Sequence, residues 1–260
     1  MLQIWLKITK SRSGSRRGLR YDGGFAAWQW GRVMRLQCET GDGSGGGAGP
    51  APVWLCAEML ESLQELNELS LALLAEQAAV RGAAASPLLR QVGELWRLLD
   101  TPARRRAAAC PYLLVDAGFA DAPRWRQPPA PQVGDAGRGE YASFFTVPAA
   151  VELARLVFTY AWHLARSQGV AARLLLGMPA TSAALIGRYT LCQIQGLAES
   201  HVEWLRPRWP TRVQVWRELL QAAACGEALA LERARLRGLT LLAAEVRSSS
   251  ARAQRGAAAP

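Results

Sequence analysis

The chain has no CxxC pair, no Cys/His cluster and no glycine-rich phosphate loop, and each absence removes a class of chemistry. Its five cysteines (Cys38, Cys56, Cys110, Cys192 and Cys225) are odd in number and widely spaced, so neither a zinc site nor a disulfide framework is indicated. The thiols read as small buried hydrophobes in a reduced, cytoplasmic compartment. Histidine is nearly missing, with His163 and His201 the two present. A Cys192–His201 nucleophile pair fails on spacing, because side chains nine apart on one helix do not meet. No stretch reaches the roughly 20 apolar residues of a membrane span. The richest one, from Val151, is interrupted by Glu152, Arg155, His163 and Arg166. The start MLQIWLKITK lacks both the apolar run and the small-residue cleavage site of a signal peptide. These absences argue for a protein that is not an enzyme, with no cofactor, no bound metal, no small-molecule substrate and no membrane partner.

What is present favours helix. Ala, Leu, Arg, Glu and Gln dominate, β-branched residues are scarce outside short runs, and the expected class is all-α, a helical bundle of about seven helices. The 260 residues leave room for one or two domains with a core of useful size. The formal charge of +10 is unevenly spread. Residues 1–52 carry +5 and 247–260 carry +3, while 53–100 carry −4 and 101–246 carry +6. The basic tails and C-terminal half suit phosphate contacts. Yet only two residues are Lys against 29 Arg, alongside heavy Ala and Gly use, a pattern of GC-rich coding that raises Arg for reasons unrelated to binding.

Residues 1–52, with SRSGSRRGLR and GDGSGGGAGP, read as disordered and as the product of an upstream start codon. From Val53 to about Arg81, Leu55, Met59, Leu63, Leu66, Leu69 and Leu73 recur at helical steps, while Glu58, Glu61, Glu65 and Glu68 point elsewhere. A helix that long either breaks near Asn67 or packs its excess length on a partner. Ser86 and Pro87 open a second helix over 88–99, and Asp100 restarts a short basic one holding Arg104, Arg105 and Arg106, whose expected place is a solvated face. The run PYLLVDAGFAD at 111–121 is the one strand-like piece, an extended arm over helices. Residues 121–145 read as a Pro-, Gly- and Arg-rich linker, dividing a helical module at 53–120 from another at 146–247. Residues 248–260 read as a disordered tail.

The second module opens with a helix whose stripe is Val151, Ala154, Phe158, Ala161, Trp162 and Ala165. It continues through Gly177 and a short helix capped at Thr181 or Ser182, then a helix capped by Thr190, the coarse outline of a helix-turn-helix. The order AARLLLGMPATSAALIGRYTLCQIQGLAES resembles the FlhD-type flagellar transcriptional regulators and their relatives on mobile elements. The matching positions are Arg173, Leu174, Gly177, Met178, Ile186, Thr190, Leu191, Gln193, Leu197, Ala198 and Glu199, with Cys192 where the family pattern has Pro. The likeness covers about residues 151–200. It implies a dimerising, helical, DNA-associated regulator that acts on transcription through DNA or through a partner subunit. The alternative is a helical adaptor or assembly protein of a secretion, flagellar or mobile-element system, with no DNA contact.

Beyond Glu199 the chain interleaves aromatics and arginines, WLRPRWP. The candidate DNA-binding residues are Arg173, Arg188, Arg206, Arg208 and Arg212 for phosphates, with Trp204 and Trp209 stacking or wedging. The bland reading of the same segment has both Trp anchoring an extended loop while the Arg side chains stay solvated. A helix follows at 212–225 with Val213, Trp216, Leu219 and Leu220 inward, and a last one at 227–247. Its Leu229, Leu236, Leu239, Ala243 and Val246 share one side, suited to the core or to oligomerisation as a homo-oligomer or with a heteromeric partner.

Overall fold

The computed structural model describes residues 56–81, 86–128, 144, 145 and 147–257. The expectations for 1–52 and for 258–260 therefore fall outside the described residues. The class is all-α, with eleven α-helices among the described residues rather than about seven. Part of the excess comes from subdivision. The helix expected over 88–99 is interrupted at Val92 (φ −116°), giving α2 (Pro87–Gln91) and α3 (Gly93–Arg97). Ser86 caps α2 as expected, its side chain accepting from the Leu89 amide.

The long first helix, α1 (Ala57–Arg81), does not break at Asn67. Met59, Leu63, Leu66 and Leu73 are buried as the stripe predicts, but so are Leu71, Leu74, Asn67 and Ser70, because α1 is covered on more than one side. It packs on α3, on α4 (Thr101–Ala108) and on α6 (Val147–Ser167). Asn67 sits fully buried in this wall and holds three backbone groups of the following segment. Its Nδ2 donates to the carbonyls of Ala108 (3.1 Å) and Tyr112 (2.9 Å), and its Oδ1 accepts from the Leu114 amide (2.8 Å). A polar residue that looks like a weak point in the helix is thus its strongest tertiary attachment.

The strand-like run forms β1 (Val115–Asp116), and it does have a partner: β2 (Arg206–Pro207) pairs with it antiparallel, Val115 opposite Pro207. The linker expected from residue 121 begins instead with α5 (Ala122–Arg126), whose Trp125 is buried and donates to the Gly118 carbonyl. Residues 129–143 of that expected linker lie outside the described residues. The described residues of both modules read from the sequence fall in one compact unit. Its centre is α6, where residues 157–164 are all buried. Around it stand α1, α7 (Gly169–Leu176), α8 (Ala180–Ile186) and α9 (Leu191–Ser200), while α10 (Val213–Cys225) packs on α3, α4 and α11 (Ala228–Ala257). Each half thus covers apolar surface that the other leaves bare. Among the described residues no single helix is long and apolar enough to cross a membrane.

The last helix differs from its expectation in two ways. It runs past Arg247 to Ala257, where Ser248, Ser249 and Ser250 donate to carbonyls four residues back. Its core face is Leu231, Ala234, Gly238 and Leu242, not the stripe beginning at Leu229. Gly238 belongs there because the Tyr112 ring and hydroxyl occupy the space that a Cβ would need. Alanine in a helix interior ordinarily gains about 1 kcal/mol over glycine. Here Gly238→Ala is expected to lose a net ~1–3 kcal/mol in urea unfolding, because overpacking against a buried ring outweighs that gain. Recovery in the double variant with Tyr112→Leu would place the cost at this contact.

Candidate functional site

The Trp- and Arg-rich exit gathers where β2 crosses β1, and its geometry turns most of its side chains inward. Arg208 is 4 % exposed. Its Nε donates to the Leu113 carbonyl (2.8 Å), its Nη2 to the Leu176 carbonyl (2.6 Å) and its Nη1 to Glu245 Oε2 (3.3 Å). Asp116 Oδ1 stands 4.0 Å away. The Arg208 amide donates to the Leu114 carbonyl, and its own carbonyl accepts from Trp216 Nε1 (2.7 Å). One residue therefore joins the β1 segment, α7, α10 and α11. The planar fork of a guanidinium suits this task, since it aims several donors in fixed directions and keeps its charge when desolvated.

Trp209 follows with φ +49°, the left-handed region that a bulky side chain occupies only when its surroundings demand it. The demand is visible: its Nε1 donates to Glu245 Oε1 (2.7 Å), and its ring meets Tyr112 edge-on at 5.7 Å between centroids. Trp204 lies in a second aromatic group. It stacks on His201 (4.5 Å), meets Trp125 edge-on (5.3 Å) and carries the Arg124 guanidinium over its face (5.2 Å).

This changes the standing of the candidate DNA contacts. Trp204, Trp209 and Arg208 are buried, so none is placed to stack on a base or meet a phosphate. The loop-anchoring reading describes both Trp, while Arg208 is an internal strut rather than a solvated cation. Arg206 is partly exposed and faces Asp116 at 3.8 Å. Arg173 at the end of α7, Arg188 in the turn after α8 and Arg212 before α10 are exposed, and no side-chain partner for them occurs among the described residues. Two of the three basic residues of α4 also have partners on other helices. Arg106 Nε donates to the Ala223 carbonyl (2.7 Å), and Arg105 lies 3.6 Å from Glu68.

The positions quoted for the resemblance fall mostly on packing and capping. Gly177 ends α7 in the left-handed conformation (φ +64°), and Met178, Ile186 and Ala198 are buried. Thr190 and Gln193 form a reciprocal capping box on α9. Glu199 accepts from Arg155 (2.8 Å) across to α6. The cap expected of Thr181 or Ser182 is absent: Pro179 stands at that N-cap without a side-chain hydrogen bond, and Ser182 is buried.

The perturbed titrating groups each have a structural cause. Burial pushes the Cys110 thiol up to about 11, raises Tyr112, Tyr160 and Tyr189, and lowers His163. A hydrogen bond from Arg237 lowers Glu218. An open groove of about 510 Å³ between α2, α3 and α10 is lined by Arg90, Arg97 and Arg217 with Leu98 and Cys225. The Glu94 carboxylate lines it together with the Cys225 thiol. Among the described residues no three His, Cys, Asp or Glu side chains gather closely enough to hold a metal ion. No known family, no curated protein and no solved structure matches the chain.

Proposed function

We propose that this protein is a non-enzymatic, FlhD-like bacterial regulator that works in the cytoplasm as a homo-oligomer or with a partner subunit, acting on transcription through DNA or through that partner. The supporting observation is the division among its arginines. Arg97, Arg105, Arg155, Arg235 and Arg237 face carboxylates, and Arg208 is consumed inside the core. Among the described residues Arg173, Arg188 and Arg212, within the segment that resembles the regulators or just after it, keep exposed guanidinium groups without such partners, as do Arg90, Arg126, Arg233 and Arg247 elsewhere. Guanidinium groups left free in this way suit phosphate oxygens, which they grip with charge-assisted hydrogen bonds. The free thiols of Cys56, Cys110, Cys192 and Cys225 accord with a reducing compartment.

Duplex DNA retardation at low salt is the test. The triple variant Arg173→Ala, Arg188→Ala, Arg212→Ala should bind at least tenfold more weakly and flatten the salt dependence, by about 0.9 in slope for each phosphate contact removed. Its folding stability should stay within about 0.5 kcal/mol of wild type, since these are exposed positions. No retardation at any salt concentration would sink the DNA branch. The adaptor reading would then take its place, favoured by the outward apolar stripe on α11.

A further inference from the structure

The last helix carries two apolar stripes, and only one of them has been used. Leu231, Ala234, Gly238 and Leu242 close onto the core. Leu229, Glu232, Leu236, Leu239, Ala243 and Val246 form the second stripe at alternating three- and four-residue steps, the spacing of a coiled-coil seam. On this stripe Leu229 is 67 % and Leu236 56 % exposed, while Leu239 and Val246 are half-buried. Isolated surface leucines need no explanation. A run that keeps seam spacing over about 26 Å of helix does.

We infer that this stripe is the interface with a second copy of the chain, joined to it antiparallel. The charges along the helix choose both the occupant and the direction. Glu232 sits within the seam near its start, and Arg247 flanks the seam near its end, exposed and without an ion-pair partner among the described residues. A parallel pair would set Glu232 against Glu232 of the second copy in a desolvated layer, a like-charge contact that destabilises. In the antiparallel pair Leu236 meets Leu239, Leu229 meets Val246, and Glu232 meets the small Ala243 within reach of Arg247 of the second copy. The internal contact of Glu232 with Arg235 (3.3 Å) lies at the rim and leaves a carboxylate oxygen for the new partner. The helix dipoles also oppose each other in that arrangement, which favours it.

This inference rests on the reading that the protein works as an assembly, and it stands apart from DNA binding. Sedimentation equilibrium on the full chain measures it. Wild type should dimerise, and Leu236→Glu should raise the dimer dissociation constant at least tenfold with an unchanged far-ultraviolet spectrum. Glu232→Arg and Arg247→Glu should each weaken the dimer several-fold, and the double exchange should restore it to within about twofold. A wild-type chain that stays monomeric at every concentration overturns the inference, as does a dimer indifferent to Leu236→Glu. A dimer weakened by each charge variant but not restored by the double exchange overturns the antiparallel arrangement. Dimerisation without DNA retardation would sink the DNA branch alone, and retardation by a monomer would sink this inference alone.

Discussion

Arg208→Met should destabilise the protein by about 3–5 kcal/mol, as does removing one partner from a buried ion pair. The substitution keeps an unbranched apolar stem of similar length, so most of the packing survives and the loss isolates the guanidinium. What it strands is specific: the carbonyls of Leu113 and Leu176 lose their donors, and Asp116 and Glu245 lose their cation. A domain of ordinary stability holds 5–15 kcal/mol in all, so this one change removes a large share. Arg208→Lys should recover little, because a single ammonium cannot aim at two carbonyls and a carboxylate together. Arg212→Met provides the contrast. Its side chain is exposed, and the expected change is within about 0.5 kcal/mol. Urea midpoints of the three variants decide whether the exit is a strut or a contact surface. Near-equal midpoints would return Arg208 to the list of possible DNA contacts.

Asn67→Leu should be comparably costly although it replaces a polar group in an apolar core. Leucine fits the volume but leaves two carbonyls, Ala108 and Tyr112, and one amide, Leu114, without partners. A buried unsatisfied group costs roughly 1–3 kcal/mol, so a loss of at least about 3 kcal/mol is expected. Asn67→Asp separates the roles. The carboxylate still accepts from Leu114 but cannot donate, and it turns negative beside two carbonyl oxygens. It should therefore unfold at least as readily as the leucine variant, and more so above the ordinary carboxylate range than below it. Denaturant titration at pH 4 and pH 7.5 reads this. Equal stability of Asp and Asn at pH 7.5 would show that the bridge does not hold the β1 segment.

These two residues also mark what could and could not be read from the chain. Local signals were legible: the N-caps Ser86, Asp100 and Thr190, and the helical stripes of α1 and α6. Each depends on neighbours within four residues. The relation of β1 to β2 was not legible, because Arg206-Pro207 offers no strand pattern of its own. The linker expectation missed the buried Trp125 and Phe145 for a similar reason, since Pro, Gly and Arg dominate the segment around them. On α11 periodicity marks the stripe of larger apolar residues as suited to the core or to oligomerisation, while a face built from Ala234 and Gly238 with two leucines makes the core contact. Small residues allow close approach, which periodicity of large side chains does not record. The Arg and Trp of the exit were the hardest case. An internal brace and a phosphate-binding surface draw on the same two residue types, and only burial tells them apart.

The reach of Arg208 has a consequence in time. Its hydrogen bond to Leu113 spans 95 residues of chain. A ribosome adding about 5–20 residues per second needs roughly 5–20 s to cover that distance. Throughout that interval the Leu113 carbonyl and the short strand beside it have been synthesised while their partner has not. The helices before it must therefore wait, with apolar surface uncovered, for a clasp supplied 95 residues later. That interval leaves the uncovered surface open to chaperones and proteases.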